Sequence, residues 1–258
     1  MPLYRERYCA MNDATPEIRC IEPAGAALDD AGLEEAYRVP RLPWLRATFV
    51  ASLDGAVELE GRSGKLGGPV DRAVFVAMRS LADVILVGAG TARVEGYGPV
   101  EVAPGAQLRR LERRQAPRAR LAVVSASGNV AAHLRFFGGQ DLPIVVTTEA
   151  GIAADPSLSA RSEVVVCGEK AVDLGEALKA LHEGGMSSVL CEGGPTLLRS
   201  LLDRDLLDEL CLTISPVLAG SRSKRLLEGV APAPFRFELA SLLVGGQLLL
   251  ARYRRSLS

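Results

Sequence analysis

The sequence predicts an α/β protein with a mostly parallel central sheet, helices on both faces and an antiparallel hairpin at its C-terminal end. Three observations carry this. From Arg41 onward, short β-rich runs alternate with helical segments, as in a sheet covered on both sides. The runs are continuously apolar rather than alternating, which suits strands buried on both faces. The last two runs follow one another with no crossover-length helix between them, and Gly245-Gly246 marks a turn.

Residues 1–40 show no sustained apolar period and carry Pro16, Pro23 and Pro40. They read as a loosely packed extension with one short helix at 29–37. Residues 41–258 read as the folded domain. Within it, strands are expected at 45–51, 84–87, 121–124, 144–147, 164–167, 188–191 and 209–214, with a final pair near 235–240 and 247–253. Helices are expected at 69–80, 92–95, 106–115, 174–183 and 196–203.

Composition narrows the function classes. With 258 residues and 48% hydrophobic content, the chain can bury a sizeable core. A net charge of −1 gives no global field toward nucleic acid or membrane surfaces. The N-terminus has charges but no apolar stretch of signal-peptide type, and no apolar run reaches the roughly 18 residues of a membrane span. Cys9, Cys20, Cys167, Cys191 and Cys211 form no C-x-x-C pair, which reads as free thiols in a reducing cytoplasm.

The chemistry-bearing signals are two glycine-rich strand ends. In the first, the run 84–87 passes into Gly88-Ala89-Gly90-Thr91 and a helix. Glycines there let a phosphate approach the backbone, a helix N-terminus offers unpaired N–H groups, and Thr91 could cap that helix. In the second, the run 188–191 passes through Glu192 into Gly193-Gly194-Pro195-Thr196-Leu197, with Pro195 where a first helical residue prefers to be. Ligands of open α/β sheets bind at such carboxyl ends, and two phosphate-cradling turns suit a ligand with several phosphates. Neither turn matches the G-x-G-x-x-G fingerprint, and the P-loop pattern is absent.

Ser52-Leu53-Asp54-Gly55, the V-G-x-G-T turn at 87–91, Glu192 to Leu197 and Asp208-Glu209-Leu210 occur in one order. In that order the chain resembles the pyrimidine reductases of riboflavin biosynthesis, the reductase domain of the deaminase/reductase proteins, over residues 44 to about 253. The resemblance implies a dihydrofolate-reductase-like, three-layer fold and a homodimer. It implies NADPH as cofactor. The substrate would be 5-amino-6-(5-phosphoribosylamino)uracil or its diaminopyrimidine precursor, with hydride going to C1′ of the ribose. Val50, Ala51 and Ser52 would border the nicotinamide. Gly88, Gly90, Thr91 and Glu95 would line the cofactor, Gly193, Gly194, Pro195, Thr196 and Leu197 would hold its pyrophosphate, and Ser125 would lie near the adenosine 2′-phosphate. Ser52, Ser63, Arg79 and Glu192 would contact substrate. Arg79 could pair with the sugar phosphate, and Glu192 could hold pyrimidine N–H groups or manage a proton.

The chain also departs from the family. Residues before 44 carry no zinc-deaminase motif, so the resemblance is to a stand-alone reductase. Thr48 stands where two-function members carry lysine, and Glu95-Gly96-Tyr97-Gly98-Pro99-Val100 replaces a segment that usually supplies a phosphate-binding arginine. Two alternatives stay open: a reductase for another pteridine or carbonyl substrate, and a non-catalytic NADPH-binding protein.

Among the remaining candidates, Arg109, Arg110, Arg113, Arg114, Arg118 and Arg120 are either a solvated face or the source of a replacement phosphate ligand. Asp54 either shapes an Asp-Gly turn or joins Glu192 as a catalytic carboxylate. His133 and His182 have no partners at metal-ligand spacing, so no metal site is expected.

Overall fold

The computed structural model describes residues 18–22, 27–130, 134–139, 141–220, 222–227 and 234–255. β1 (Ile18–Glu22) and α1 (Asp30–Ala36) precede β2 (Trp44–Ser52). A 3-10 turn (Ser63–Lys65) and α2 (Pro69–Leu81) lead to β3 (Val84–Gly88), α3 (Ala89–Glu95), α4 (Pro104–Glu112) and β4 (Arg120–Val124). Then come β5 (Ile144–Thr147), α5 (Glu149–Ala154), α6 (Leu158–Arg161), β6 (Glu163–Val166), α7 (Leu174–Glu183), β7 (Ser188–Cys191) and α8 (Pro195–Asp203). β8 (Glu209–Ser215), β9 (Phe237–Gly245) and β10 (Leu248–Arg255) complete the chain.

The strands form one ten-stranded sheet in the order β1-β9-β10-β8-β2-β7-β3-β4-β5-β6. The stretch from β8 to β6 is parallel throughout, and β10, β9 and β1 add antiparallel neighbours. β7 is inserted between β2 and β3, and the chain then returns to β8 on the far side of β2. The order therefore reverses around β2 and β7, and a crevice is expected beyond their carboxyl ends.

Helices cover both faces because each carries one apolar stripe. α2 opens with Pro69 and buries Val70, Val74, Ala77 and Met78 in a core shared with Leu33, Ile85 and Val87. On the other face, α7 buries Leu174, Ala177, Leu178 and Leu181, and α8 buries Leu197, Leu198, Leu201 and Leu202. Asp173 caps α7 by accepting from the amides of Gly175 and Glu176 at 2.9 and 3.1 Å.

The sequence reading needs correction in four places. The described part of residues 1–40 is not loosely packed. β1 pairs with β9, Leu33 and Tyr37 are buried, and Arg109 of α4 and Arg113 just after it both bind the Glu34 carboxylate. The rest of that segment, 1–17 and 23–26, lies outside the described residues. The helix expected at 92–95 begins at Ala89 with Gly88 as its cap residue, so Thr91 lies inside it and does not cap it. The helix expected at 106–115 starts earlier, at Pro104, and ends at Glu112, and Arg114 adopts a positive φ of 61° just beyond it. The hairpin turn is Gly246-Gln247, one residue later than expected, because Gly245 pairs with Leu248.

Candidate active site

The two glycine turns read separately from sequence form one structure. The Gly88 amide donates to the Gly193 carbonyl at 2.8 Å, and the Glu192 amide donates to the Leu86 carbonyl at 2.9 Å. These bonds join the carboxyl ends of β3 and β7. The approach is closer than any side chain would allow: a Cβ on Gly194 would lie 2.4 Å from Thr91 Oγ1. Gly193 has φ +95°, a region favouring glycine, and a Cβ there would press on the Phe49 ring at 3.2 Å. The peptide bond between the two glycines is cis.

The joined turns leave one side open. Gly90 is exposed, and a Cβ there would meet nothing within 4 Å. Pro195 opens α8 as expected, so the early amides of that helix, Thr196 and Leu197 included, have no partner within it. Val50, Ala51 and Ser52 end β2 paired with β8, beyond the last β7 partner at Ala47, and Ser125 follows β4 on the same carboxyl edge of the sheet. Ser125 is buried, with its amide on the Val146 carbonyl and its own carbonyl accepting from the Thr147 hydroxyl at 2.7 Å.

Glu192, next after β7, is the centre of the other half. Arg79 clamps it from α2, with Nε to Oε1 and Nη2 to Oε2, both at 2.7 Å. Tyr97 donates its hydroxyl to Oε2 at 2.7 Å. The Glu192 side chain is 1% exposed and that of Arg79 is 24% exposed. The Arg79 guanidinium also lies over the rings of Phe75 and Tyr97, at 4.3 and 5.6 Å. Burial would push the Arg79 pKa down, but the facing Glu192 carboxylate more than offsets this and the net shift is upward. Burial, reinforced by Glu192, holds the Tyr97 phenol well above its ordinary value, so it stays protonated and donates.

This arrangement revises one expectation. Arg79 is not a free cation awaiting phosphate, because its fork is committed to Glu192. The Glu192 carboxylate accepts from Arg79 and Tyr97. Tyr97 went unread in the sequence. Its only signal was its place in the segment that departs from the family pattern.

Glu95 and Ser63, expected on the cofactor and substrate sides, meet each other. The Ser63 amide and hydroxyl both donate to Glu95 Oε1 at 2.9 Å, pinning the glycine-rich loop 61–68 to the end of α3. Asp54 and Ser52 form a strap rather than a reactive pair. The Ser52 hydroxyl donates to Asp54 Oδ1 at 2.5 Å and accepts from the Ala56 amide at 2.9 Å. The Asp54 carboxylate also accepts from the amides of Ala219 and Gly220, and Arg225 lies 3.4 Å away. The Ser52 hydroxyl first, then these amides, hold the Asp54 carboxyl well below the usual carboxylate range. Of the two readings of Asp54, the geometry fits the turn-shaping one. The hydroxyl of Ser52 is likewise committed within the strap.

The arginine cluster turns inward or pairs with acids. Arg109 and Arg113 bind Glu34, Arg118 pairs with Asp141, and Arg120 pairs with Glu163. Arg110 is fully buried and donates to the carbonyls of Ser80, Ala82 and Ala116. These five are structural, which overturns their candidacy as replacement phosphate ligands. Burial pushes the Cys191 thiol up to about 12, so it is no nucleophile. His133 lies outside the described residues. His182 lines a cavity of about 320 Å³ with Arg41, Lys179 and Asp208, near the start of β2 and away from the crevice.

Comparisons with known proteins bear on the family and the fold. Residues 43–250 match the family model of the RibD C-terminal domain. The chain is 28% identical over 224 residues to the 2,5-diamino-6-ribosylamino-4(3H)-pyrimidinone 5′-phosphate reductase of Methanothermobacter thermautotrophicus, covering 82% of this chain and 97% of that protein. It is 29% identical over 188 residues to the protein of the same name from Archaeoglobus fulgidus, covering 70% and 83%. Among solved structures it is similar to a pyrimidine reductase-like protein of Corynebacterium diphtheriae, with a TM-score of 0.72, 27% identity and coverage of 84% and 93%.

Proposed function

The chain belongs to the RibD C-terminal domain family, and from that membership we propose that it uses NADPH to reduce the ribosyl group of a phosphoribosylamino-pyrimidine to the ribityl form. It is an oxidoreductase of the pyrimidine-reductase kind, with the dihydrofolate-reductase-like α/β fold. The observation that supports the reading is the junction of Gly88–Thr91 with Gly193–Leu197 beside the Glu192 clamp, whose open side at Gly90 would take the phosphates of a nucleotide.

NADPH would supply the hydride. Gly88, Gly90, Thr91 and the first turn of α8 from Gly194 would hold its phosphates, Val50 and Ala51 would border the nicotinamide, and Ser125 would lie toward the adenosine. The fit rests on the glycine cradle, whose open side at Gly90 leaves room for a phosphate. The protein's own part is orientation: Glu192 offers an acceptor to the pyrimidine, and Glu95 and Ser63 fix the loop that closes the substrate side. Purified protein given NADPH and the phosphoribosylamino-pyrimidine should lose reduced-nicotinamide absorbance with turnover. No loss, under conditions where an established reductase works, would overturn the reading.

A partly exposed sheet face supports a homodimer. Val244, Leu249 and Ile214 lie side by side across β9, β10 and β8, and Leu242 and Leu212 flank the buried Ala251 in the next row. Leu249 is 41% exposed at its centre, and Leu239 further along β9 is 48% exposed. A second copy of this chain would bury these rows. Leu249→Asp should convert a sedimenting dimer to a monomer, whereas a wild-type monomer at micromolar concentration would refute this assembly.

A further inference from the structure

We propose that the segment following β8 walls the crevice on its β2–β8 side, that Asp54 positions this wall, and that its exposed leucines take the nicotinamide end of the cofactor. The proposal rests on the reductase reading above. Ser52 pairs with Ser215 in the last rung between β2 and β8. Beyond that rung the two chains do not part. The Leu53 amide donates to the Val217 carbonyl at 2.8 Å, the Val57 amide to the Lys224 carbonyl at 2.9 Å, and the Leu226 amide to the Gly55 carbonyl at 3.2 Å. Asp54 adds cross-ties. Its carboxylate accepts from the amides of Ala219 and Gly220 at 3.0 and 2.9 Å, and Arg225 donates to its main-chain carbonyl. Residues 217–220 and 222–226 therefore continue past the carboxyl ends of the strands, where ligands of such sheets bind.

The wall carries an apolar pair that the fold itself does not bury. Leu218 is 75% exposed and Leu53 is 61% exposed. They sit at either end of the Leu53–Val217 bond, so a tied backbone presents both. A single exposed leucine is ordinary, but two on adjoining, bonded segments at a ligand-binding edge point to an apolar occupant. The sheet order picks which one. The glycine junction joins β7 to β3, Ser125 lies beyond it past β4, and the leucine wall lies on the other side, past β2 and β8. A dinucleotide with its phosphates at the junction and its adenosine toward Ser125 has its nicotinamide on the wall side. Asp54 touches no ligand in this arrangement. It holds the wall in its binding geometry beforehand, and its loss should act on the nicotinamide end alone.

Two variants and two probes test this. Leu218→Ser removes an exposed side chain, so the melting temperature should match wild type while NADPH affinity falls about fivefold through lost apolar contact. Asp54→Asn weakens the tie, so trypsin should cut at Arg222, Lys224 or Arg225 about tenfold faster and NADPH affinity should fall about tenfold. The second probe is an adenosine bisphosphate that carries the adenine half of the cofactor and lacks the nicotinamide. It should bind both variants as tightly as wild type. Unchanged NADPH affinity in Leu218→Ser, or an equal loss for NADPH and the adenine fragment in either variant, would overturn the proposal while leaving the reductase reading intact. So would faster tryptic cleavage of Asp54→Asn with unchanged NADPH affinity, which is the mark of a purely structural tie. A shift of Leu218→Ser from dimer to monomer would assign the leucines to a subunit contact and overturn it too. Failure of the wild-type protein to bind NADPH would overturn that reading and this proposal together.

Discussion

Gly90→Ala should weaken NADPH binding by about ten- to hundredfold while leaving the melting temperature of the free protein unchanged or slightly raised. The two halves of this expectation come from different surroundings of one atom. On the protein side, a Cβ at residue 90 meets nothing within 4 Å, and the residue lies within α3, where alanine is the better helix former by up to about 1 kcal/mol. Nothing in the free fold resists the methyl group. On the ligand side, the same methyl stands where a phosphate would approach the backbone. Displacing that phosphate forfeits a charge-assisted hydrogen bond of about 1.5–3 kcal/mol, which is roughly ten- to hundredfold in affinity. Gly194→Ala gives the contrasting result, with stability and affinity both falling, because its Cβ would sit 2.4 Å from Thr91 Oγ1. Fluorescence titration with NADPH alongside thermal scans separates the two cases. A Gly90→Ala protein that binds NADPH as tightly as wild type would mean that the phosphates lie elsewhere.

The two glycine turns were legible in the sequence because each is local: a buried run, small residues, then a helix start within a dozen positions. The inner parallel strands were legible for a similar reason, since burial on both faces writes a continuous apolar run into β3, β4, β5 and β7, whereas the edge strand β6 is partly exposed. What was not legible depends on distance along the chain. The Arg79–Glu192 clamp spans 113 residues and the Tyr97–Glu192 bond spans 95, so no spacing rule could join them. The arginine-rich stretch looked like a cationic surface because Glu34, which binds Arg109 and Arg113, lies 75 and 79 residues away. α5 and α6 are six and four residues long, too short to display a helical period. Asp54 sat between two roles because an Asp-Gly turn looks the same from sequence whether its carboxylate faces ligand or, as here, the amides of Ala219 and Gly220.

Removing the Glu209 carboxylate should destabilise the protein by about 3–5 kcal/mol, a drop of on the order of 10 °C in melting temperature. Glu209 opens β8 and is fully buried, as are the two arginines it faces. Arg46 Nε lies 2.5 Å from one oxygen, Arg252 Nη2 lies 2.7 Å from the other, and Trp44 Nε1 donates at 3.2 Å. The same guanidinium groups reach the end of α1, Arg46 to the Tyr37 carbonyl at 2.6 Å and Arg252 to the carbonyls of Ala36 and Arg38. Both lie over the Tyr37 ring. One carboxylate is therefore the shared counter-charge of two buried cations that fasten the N-terminal helix to the sheet, and Glu209→Ala removes it from both. The pH dependence has a definite sign. Burial pushes the Glu209 carboxyl up, but Arg46 and Arg252 more than cancel this, so its folded pKa lies below its unfolded value. Its contribution is thus fully present above about pH 4.5 and fades as pH falls through the folded pKa. The gap in melting temperature between wild type and Glu209→Ala should be widest near neutrality and narrow in acid. Because this network sits toward the amino ends of β2 and β8, opposite the crevice, NADPH affinity well below the melting transition should match wild type. A gap independent of pH, or a loss under about 1 kcal/mol, would mean that packing around Tyr37, and not the charge on Glu209, holds the helix in place.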